Sequence, residues 1–328
     1  MLAPLLAALL VSGAPDAVST QTPVPQVSPS IPSADQPTDL EDITVTGRRL
    51  DEATRAFVRE VGAPARGRGL ARWRNGVCVG VANLQPEVAQ YIADRVSTVA
   101  QDLGLSAGAP GCNPSVLIVA TQDGDAFTPE FVAERPRLFR VGGAGMDQGA
   151  AALKRFETNG QPVRWWTVSA PVDGDTGQIV VRIPGGVNGG QDAGGNDSPM
   201  LYAPNTEIRA ASRLSTQIVD DSKRAFIIVD VSKTGGVTLP QLADYLAMVS
   251  LAQINPEADT AGFATILNLF DDPVQTEGLT NWDLAYLKGL YDTERTRQNR
   301  NSARTEIVAS VIHAHDELTA AQDQTAPQ

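Results

Sequence analysis

The chain of 328 residues holds only two histidines, two cysteines and four methionines, and aromatic residues make up 5% of it. Two histidines, His313 and His315, both near the C-terminus, leave little material for an imidazole-rich metal centre or a Ser-His-Asp triad. No G-x-S-x-G elbow and no phosphate-binding P-loop occurs. The glycines at Gly142, Gly143 and Gly145 lack the spacing of a dinucleotide fingerprint. C-x-x-C spacing is absent too, which argues against thiol redox or zinc chemistry. No cofactor is therefore expected. Nothing in the chain is long and apolar enough to span a bilayer as a helix.

Positive charge is also scarce. Acidic residues exceed basic ones to give a formal net charge of −12 and a pI near 4.7. Phosphate backbones repel such a chain, so nucleic acid is not an expected partner. The basic residues are mostly arginine. Eight arginines and only three acids fall between Arg48 and Arg74. Among them Arg48, Arg49, Arg66, Arg68, Arg72 and Arg74 are candidates for contact with an anionic surface. The other reading is a loop whose arginines pair with the chain's own acids.

The N-terminus reads as a leader. Leu2–Val11 resembles the apolar core of a secretory signal, and Ala17-Val18-Ser19 has small residues suited to cleavage, although no Lys or Arg precedes the run. Residues 1–19 are thus expected to be a signal peptide and the protein to be periplasmic or secreted. Residues 20–50 are rich in Pro, Ser and Thr and are expected to form a disordered tether. Within them, Asp42–Arg49 (DITVTGRR) resembles the N-terminal segment of TonB-dependent outer-membrane receptors, with a short β-strand as the alternative. In an exported chain Cys78 and Cys112 are expected to form a disulfide, since both border β-rich runs.

The folded region is expected from residue 51. A strand over 77–84, a helix opening at Pro86 and closing near Gly104, and a strand over Ser115–Thr121 form a parallel crossover pattern. Helices are expected at Pro129–Leu138 and Met146–Glu157. Strands are expected at Arg164–Ala170 and Gln178–Ile183, and again at Glu207–Ile218 and Lys223–Ser232, with Asp220-Asp221 at the turn. Pro184–Pro199 reads as a glycine-rich loop with a faint likeness to calcium-binding repeats. Residues 293–321 suggest an amphipathic helix, and 322–328 a frayed tail.

Thr238 and Gln241 have capping-box spacing, and the apolar residues from Leu239 to Leu251 spread around the whole helix they open. Such a helix is buried on every side. Downstream come Thr265-Ile266-Leu267-Asn268 and the phrase LTNWDLAYLKGLY at Leu279–Tyr291. This order, over roughly Arg209–Tyr291, resembles the C-terminal half of zincin metallopeptidases. It also resembles uncharacterised exported proteins of Alphaproteobacteria whose zincin-like domain lacks the H-E-x-x-H ligands. The resemblance implies an α+β fold with a mixed twisted sheet, a central buried helix and C-terminal helices, as a single domain over 51–292. In the implied alignment Asp244 stands at the first ligand, Tyr245 at the general base, Met248 at the second ligand, Leu251 at the glycine and Ile254 at the third ligand. The chain is then a catalytically inactive homologue, a monomer with a structural or partner-binding role in the cell envelope, its partner an unknown protein or envelope component. Two alternatives stand beside it. One is a hydrolase using carboxylates around Asp244, with Asp230, Asp271, Asp272 and Asp283 as neighbours. The other is an envelope protein that acts through its tether and arginine cluster.

Overall fold

Apolar alternation in three runs builds the centre of the molecule. A computed structural model describes residues 41–65, 68–139, 148–180, 216–295 and 299–325. Strands β2 (Val79–Ala82), β4 (Val116–Thr121), β5 (Val163–Asp173) and β6 (Ile218–Asp230) form a four-stranded sheet in the order β2-β4-β6-β5. The first three are parallel, and β5 is an antiparallel edge. A two-stranded parallel pair, β1 (Gly76–Val77) with β3 (Ser106–Ala107), accompanies it. Helix α2 (Pro86–Asp102) links β2 to β4, which is the expected crossover.

Both faces of the sheet are covered, because successive residues of a strand point to opposite sides. Val116, Ile118, Val163, Trp165, Ala225, Ile227 and Val229 face the larger core, which contains residues of α2 and of helices α1 (Glu41–Val61), α6 (Leu239–Leu251), α7 (Asn281–Asp292) and α8 (Arg300–Thr325). Val119, Trp166, Val168, Phe226 and Ile228 face a second core with Phe139, Leu153 and Phe156, supplied by α3 (Gly124–Glu134), α4 (Pro136–Phe139) and α5 (Ala150–Thr158). The class is α+β with a mixed sheet, as expected.

Several boundaries differ from the sequence reading. DITVTGRR lies in α1 rather than in a tether or a strand. The same helix buries Thr54, Phe57, Val58 and Val61 on one face of its later turns. Asp220-Asp221 sits inside β6, opposite Ala170 and Pro171, and not at a turn. Of the strand expected at Gln178–Ile183, the described part makes one isolated bridge, Val172–Ile179. The first helix after β4 begins at Gly124, because Asp123 caps it by accepting the Ala126 amide at 2.9 Å. The C-terminal helix begins at Arg300 and continues to Thr325, past the tail boundary expected at 322. The signal peptide expected at 1–19, residues 20–40 of the expected tether, the glycine-rich loop expected at 184–199, residues 207–215 of the strand expected at Glu207–Ile218, and Arg66 lie outside the described residues.

Cys78 and Cys112 are joined, with Cα atoms 6.1 Å apart. Among the described residues no helix is long and apolar enough to cross a membrane.

Candidate functional site

Helix α6 is specified locally at its start and globally along its length. Thr238 caps it in a full capping box: the Thr238 amide donates to Gln241 Oε1 at 2.8 Å, and the Thr238 hydroxyl accepts from the Gln241 amide. Every residue from Ala243 to Leu251 is buried. Leu246, Met248 and Leu251 share the larger core with Ile227 of the sheet and Tyr286 of α7. Each fully buried side chain of this size contributes roughly 1.5–3 kcal/mol relative to its exposed state.

The positions that the zincin alignment assigns to metal chemistry are committed to packing. Tyr245 stacks edge-on against Phe270 and Trp165, with ring centroids 5.0 and 6.2 Å away, and burial pushes its hydroxyl well above the usual tyrosine range. Met248, Leu251 and Ile254 are buried. Asp244 forms an ion pair with Arg95 of α2, and its other oxygen accepts the Leu279 amide at 2.9 Å. A carboxylate so placed ties α2, α6 and the approach to α7 together. Among the described residues no cluster of three His, Cys, Asp or Glu could hold a metal ion.

The two downstream motifs are bound to each other. Asp283, in the first turn of α7, accepts the Ile266 amide at 2.8 Å, the Thr280 amide at 2.9 Å and the hydroxyls of Thr265 and Thr280. Burial raises its pKa even though these donors favour the charged form. Thr280 caps α7, and its single hydroxyl proton is shared between Asp283 and the Ala264 carbonyl, 2.7 Å away. The turn at Ile266–Asn268 is thereby fixed under α6 by α7.

A cavity of about 360 Å³ lies where Trp165 and Trp166 of β5 meet Ala152, Arg155 and Phe156 of α5 and the segments at Pro64 and Pro256. An exposed pair, Arg155–Glu257 at 3.2 Å, stands at its rim. Asp244 is not among its lining residues.

The arginine cluster turns inward where it is described. Arg68 pairs with Asp220, and Arg74 donates to Asp221 at 2.7 Å and to the Gly174 carbonyl at 2.7 Å. Arg295 and Lys223 also reach Asp221, at 2.5 and 3.3 Å. Burial drives the Asp221 carboxyl upward, but the Arg74 and Arg295 hydrogen bonds outweigh it and hold the pKa below the usual range. Arg72 donates to the Leu290 and Tyr291 carbonyls at the end of α7, a favourable place for a cation. Burial and the nearby Arg295 pull its pKa down to about 10. Arg48 and Arg49 lie on α1, and their side chains are outside the described set.

The remaining carboxylates have structural partners or face solvent. Asp230 accepts the Gly124 amide at 2.9 Å and the Ser232 hydroxyl at 2.6 Å, and Asp271 and Asp272 are exposed. Sequence reasoning missed Arg164. It is fully buried and bridges Asp125, the Gly124 carbonyl at 2.8 Å and the Glu157 carbonyl at 3.3 Å. No local signal separates an arginine of this kind from a solvent-facing one in a strand. His313 pairs with Glu317 at 3.2 Å on the exposed side of α8, and His315 packs on Trp282 at 5.4 Å.

No family model, no curated protein and no solved structure matches the chain.

Proposed function

We propose that the chain is a non-catalytic, zincin-like exported protein with a structural or partner-binding role in the cell envelope. The observation that carries this reading is the fate of the helix that would hold a metal. In the core, Met248 and Ile254 fill the second and third ligand positions, Tyr245 that of the general base and Leu251 that of the glycine, and Asp244 at the first ligand is engaged by Arg95 and the Leu279 amide. One carboxylate that already neutralises an arginine does not make a zinc site, which needs three or four ligands. The order of strand, buried helix, short turn and capped closing helix supports the zincin-like assignment. The Cys78–Cys112 disulfide and the apolar N-terminal run support export.

Elemental analysis of purified protein by inductively coupled plasma spectrometry tests the first part. The expected result is no stoichiometric zinc before or after Asp244→Asn. Stoichiometric zinc that is lost in Asp244→Asn overturns the reading. Intact-mass analysis of cell fractions tests the second. A periplasmic or secreted chain starting at Thr20 with no free thiol is expected, and an unprocessed, reduced chain confined to the cytoplasm overturns it.

A further inference from the structure

The segment Asp271–Gly278 crosses from the turn under α6 to the start of α7, and it is held in an unusual way. Thr276 is buried, but Val274, the one aliphatic side chain of the segment, joins neither apolar core, although Leu269, Phe270 and Leu279 on its flanks belong to the larger one. Val274 at its tip is 81% exposed. Its first residues are tied to the preceding turn, where the Asn268 carbonyl accepts the Asp271 and Asp272 amides at 3.0 and 2.9 Å, and beyond them it is held by hydrogen bonding from α6 to its main chain. Gln241 Nε2 donates to the Pro273 carbonyl and to the Thr276 carbonyl, both at 2.7 Å. Asp244 Oδ2 accepts the Leu279 amide at 2.9 Å. The fit is close, since a Cβ on Gly278 would stand 2.6 Å from that carboxylate oxygen. Within the segment only Asp272 adds order, accepting the Thr276 amide at 3.2 Å through its carbonyl and the Gln275 amide at 3.2 Å through its carboxylate.

We propose that Asp271–Gly278 is a strap that opens as a unit while the domain stays folded, uncovering Gln241 and Asp244. Apolar burial is the term that makes opening costly, and the strap contributes almost none. A few side-chain-to-main-chain hydrogen bonds, each replaceable by water, form a weak latch. Gln241 and Asp244 bind the closed strap as an extended peptide would be bound, with two donors for carbonyls and one acceptor for an amide. Uncovered, they would be open to another extended main chain. That role rests on the partner-binding reading above, whereas the opening itself does not.

Native-state hydrogen exchange on the full chain tests the strap. The Thr276 and Leu279 amides are expected to exchange at least about ten-fold faster than those of Tyr245–Leu251, with little dependence on low urea concentrations. Gln241→Ala or Asp244→Asn should speed the strap by about ten-fold more than the Tyr245–Leu251 amides, while Val274→Ser should change neither. An endoproteinase specific for glutamate should cut after Glu277 in the native wild-type protein. Strap amides that exchange together with α6 and with the same urea dependence, or a Glu277 bond cut only on global unfolding, overturn the proposal. Both wild-type measurements decide the matter even where a variant fails to fold. Zinc found in the elemental analysis would overturn the non-catalytic reading and leave these outcomes untouched.

Discussion

Gly289 of α7 and Val311 of α8 meet at main-chain distance. A Cβ built on Gly289 would stand 2.6 Å from the Val311 nitrogen and 2.8 Å from its Cα. Neither backbone can yield without shifting a helix, so the glycine sets how closely the two helices pack. Gly289→Ala is expected to destabilise by about 1–3 kcal/mol, the usual range for overpacking, despite alanine's better helix propensity. Urea unfolding followed by circular dichroism measures it. An unchanged or raised midpoint would show that α8 is free to move away.

Asp283 supplies the second test, because four donors converge on a buried carboxyl whose pKa is raised. A raised native pKa means that the folded state binds the proton more readily. The contribution is fully present below the unfolded value of about 4 and is lost as pH rises through the native value. Asp283→Asn offers only one carbonyl oxygen to those donors and brings two of its own. It should lower stability at pH 7 by about 1–3 kcal/mol and detach the turn at Ile266–Asn268 from α7. Exchange of the Ile266 amide reports this directly.

Legibility in the sequence followed the range of the interactions. Thr238 and Gln241, or Pro86 and Gly104, act within a few residues, and both helices lie where those signals place them. The all-round burial of α6 was also readable, because its apolar residues leave no polar stripe. Asp220-Asp221 misled because two adjacent acids resemble a turn. In the fold they are neutralised by Arg68, Arg74, Lys223 and Arg295, which come from three separate stretches of chain. Asp244 was legible as a buried carboxylate in need of a partner, but not as a partner of Arg95, 149 residues away in sequence. The latch on the strap shows the same limit: Gln241 was readable as a cap and not as a donor to Pro273 and Thr276.

The disulfide gives a third prediction. It closes a loop with a sequence separation of 34 residues, from the end of β1 across α2 to the turn before β4. On the chain-entropy account, Cys78→Ser with Cys112→Ser should lower stability by about 3–4 kcal/mol. Reducing agent should lower the wild-type unfolding midpoint and leave that of the double variant unchanged. Equal response of both proteins to reductant would mean that the bond has no part in stability.

Asp221 gives the last prediction, with the opposite pH sign to Asp283. Its native pKa is lowered, with the Arg74 and Arg295 hydrogen bonds outweighing burial. The carboxylate therefore contributes stability that is present above the unfolded value of about 4 and is lost as pH falls through the native value. Asp221→Asn removes the charge while Arg74 and Arg295 remain part-buried beside it. Removing one member of a buried ion pair costs about 3–5 kcal/mol, since the partner's charge is left uncompensated. At pH 7 the variant should unfold at a much lower urea concentration than wild type. Between pH 5 and pH 2 wild-type stability should fall more steeply than that of the variant, so the gap between them narrows with acid. A gap that stays constant across this range would show that Asp221 is not ionised in the native state. The arginines would then be held by the Gly174 and Asp220 carbonyls instead.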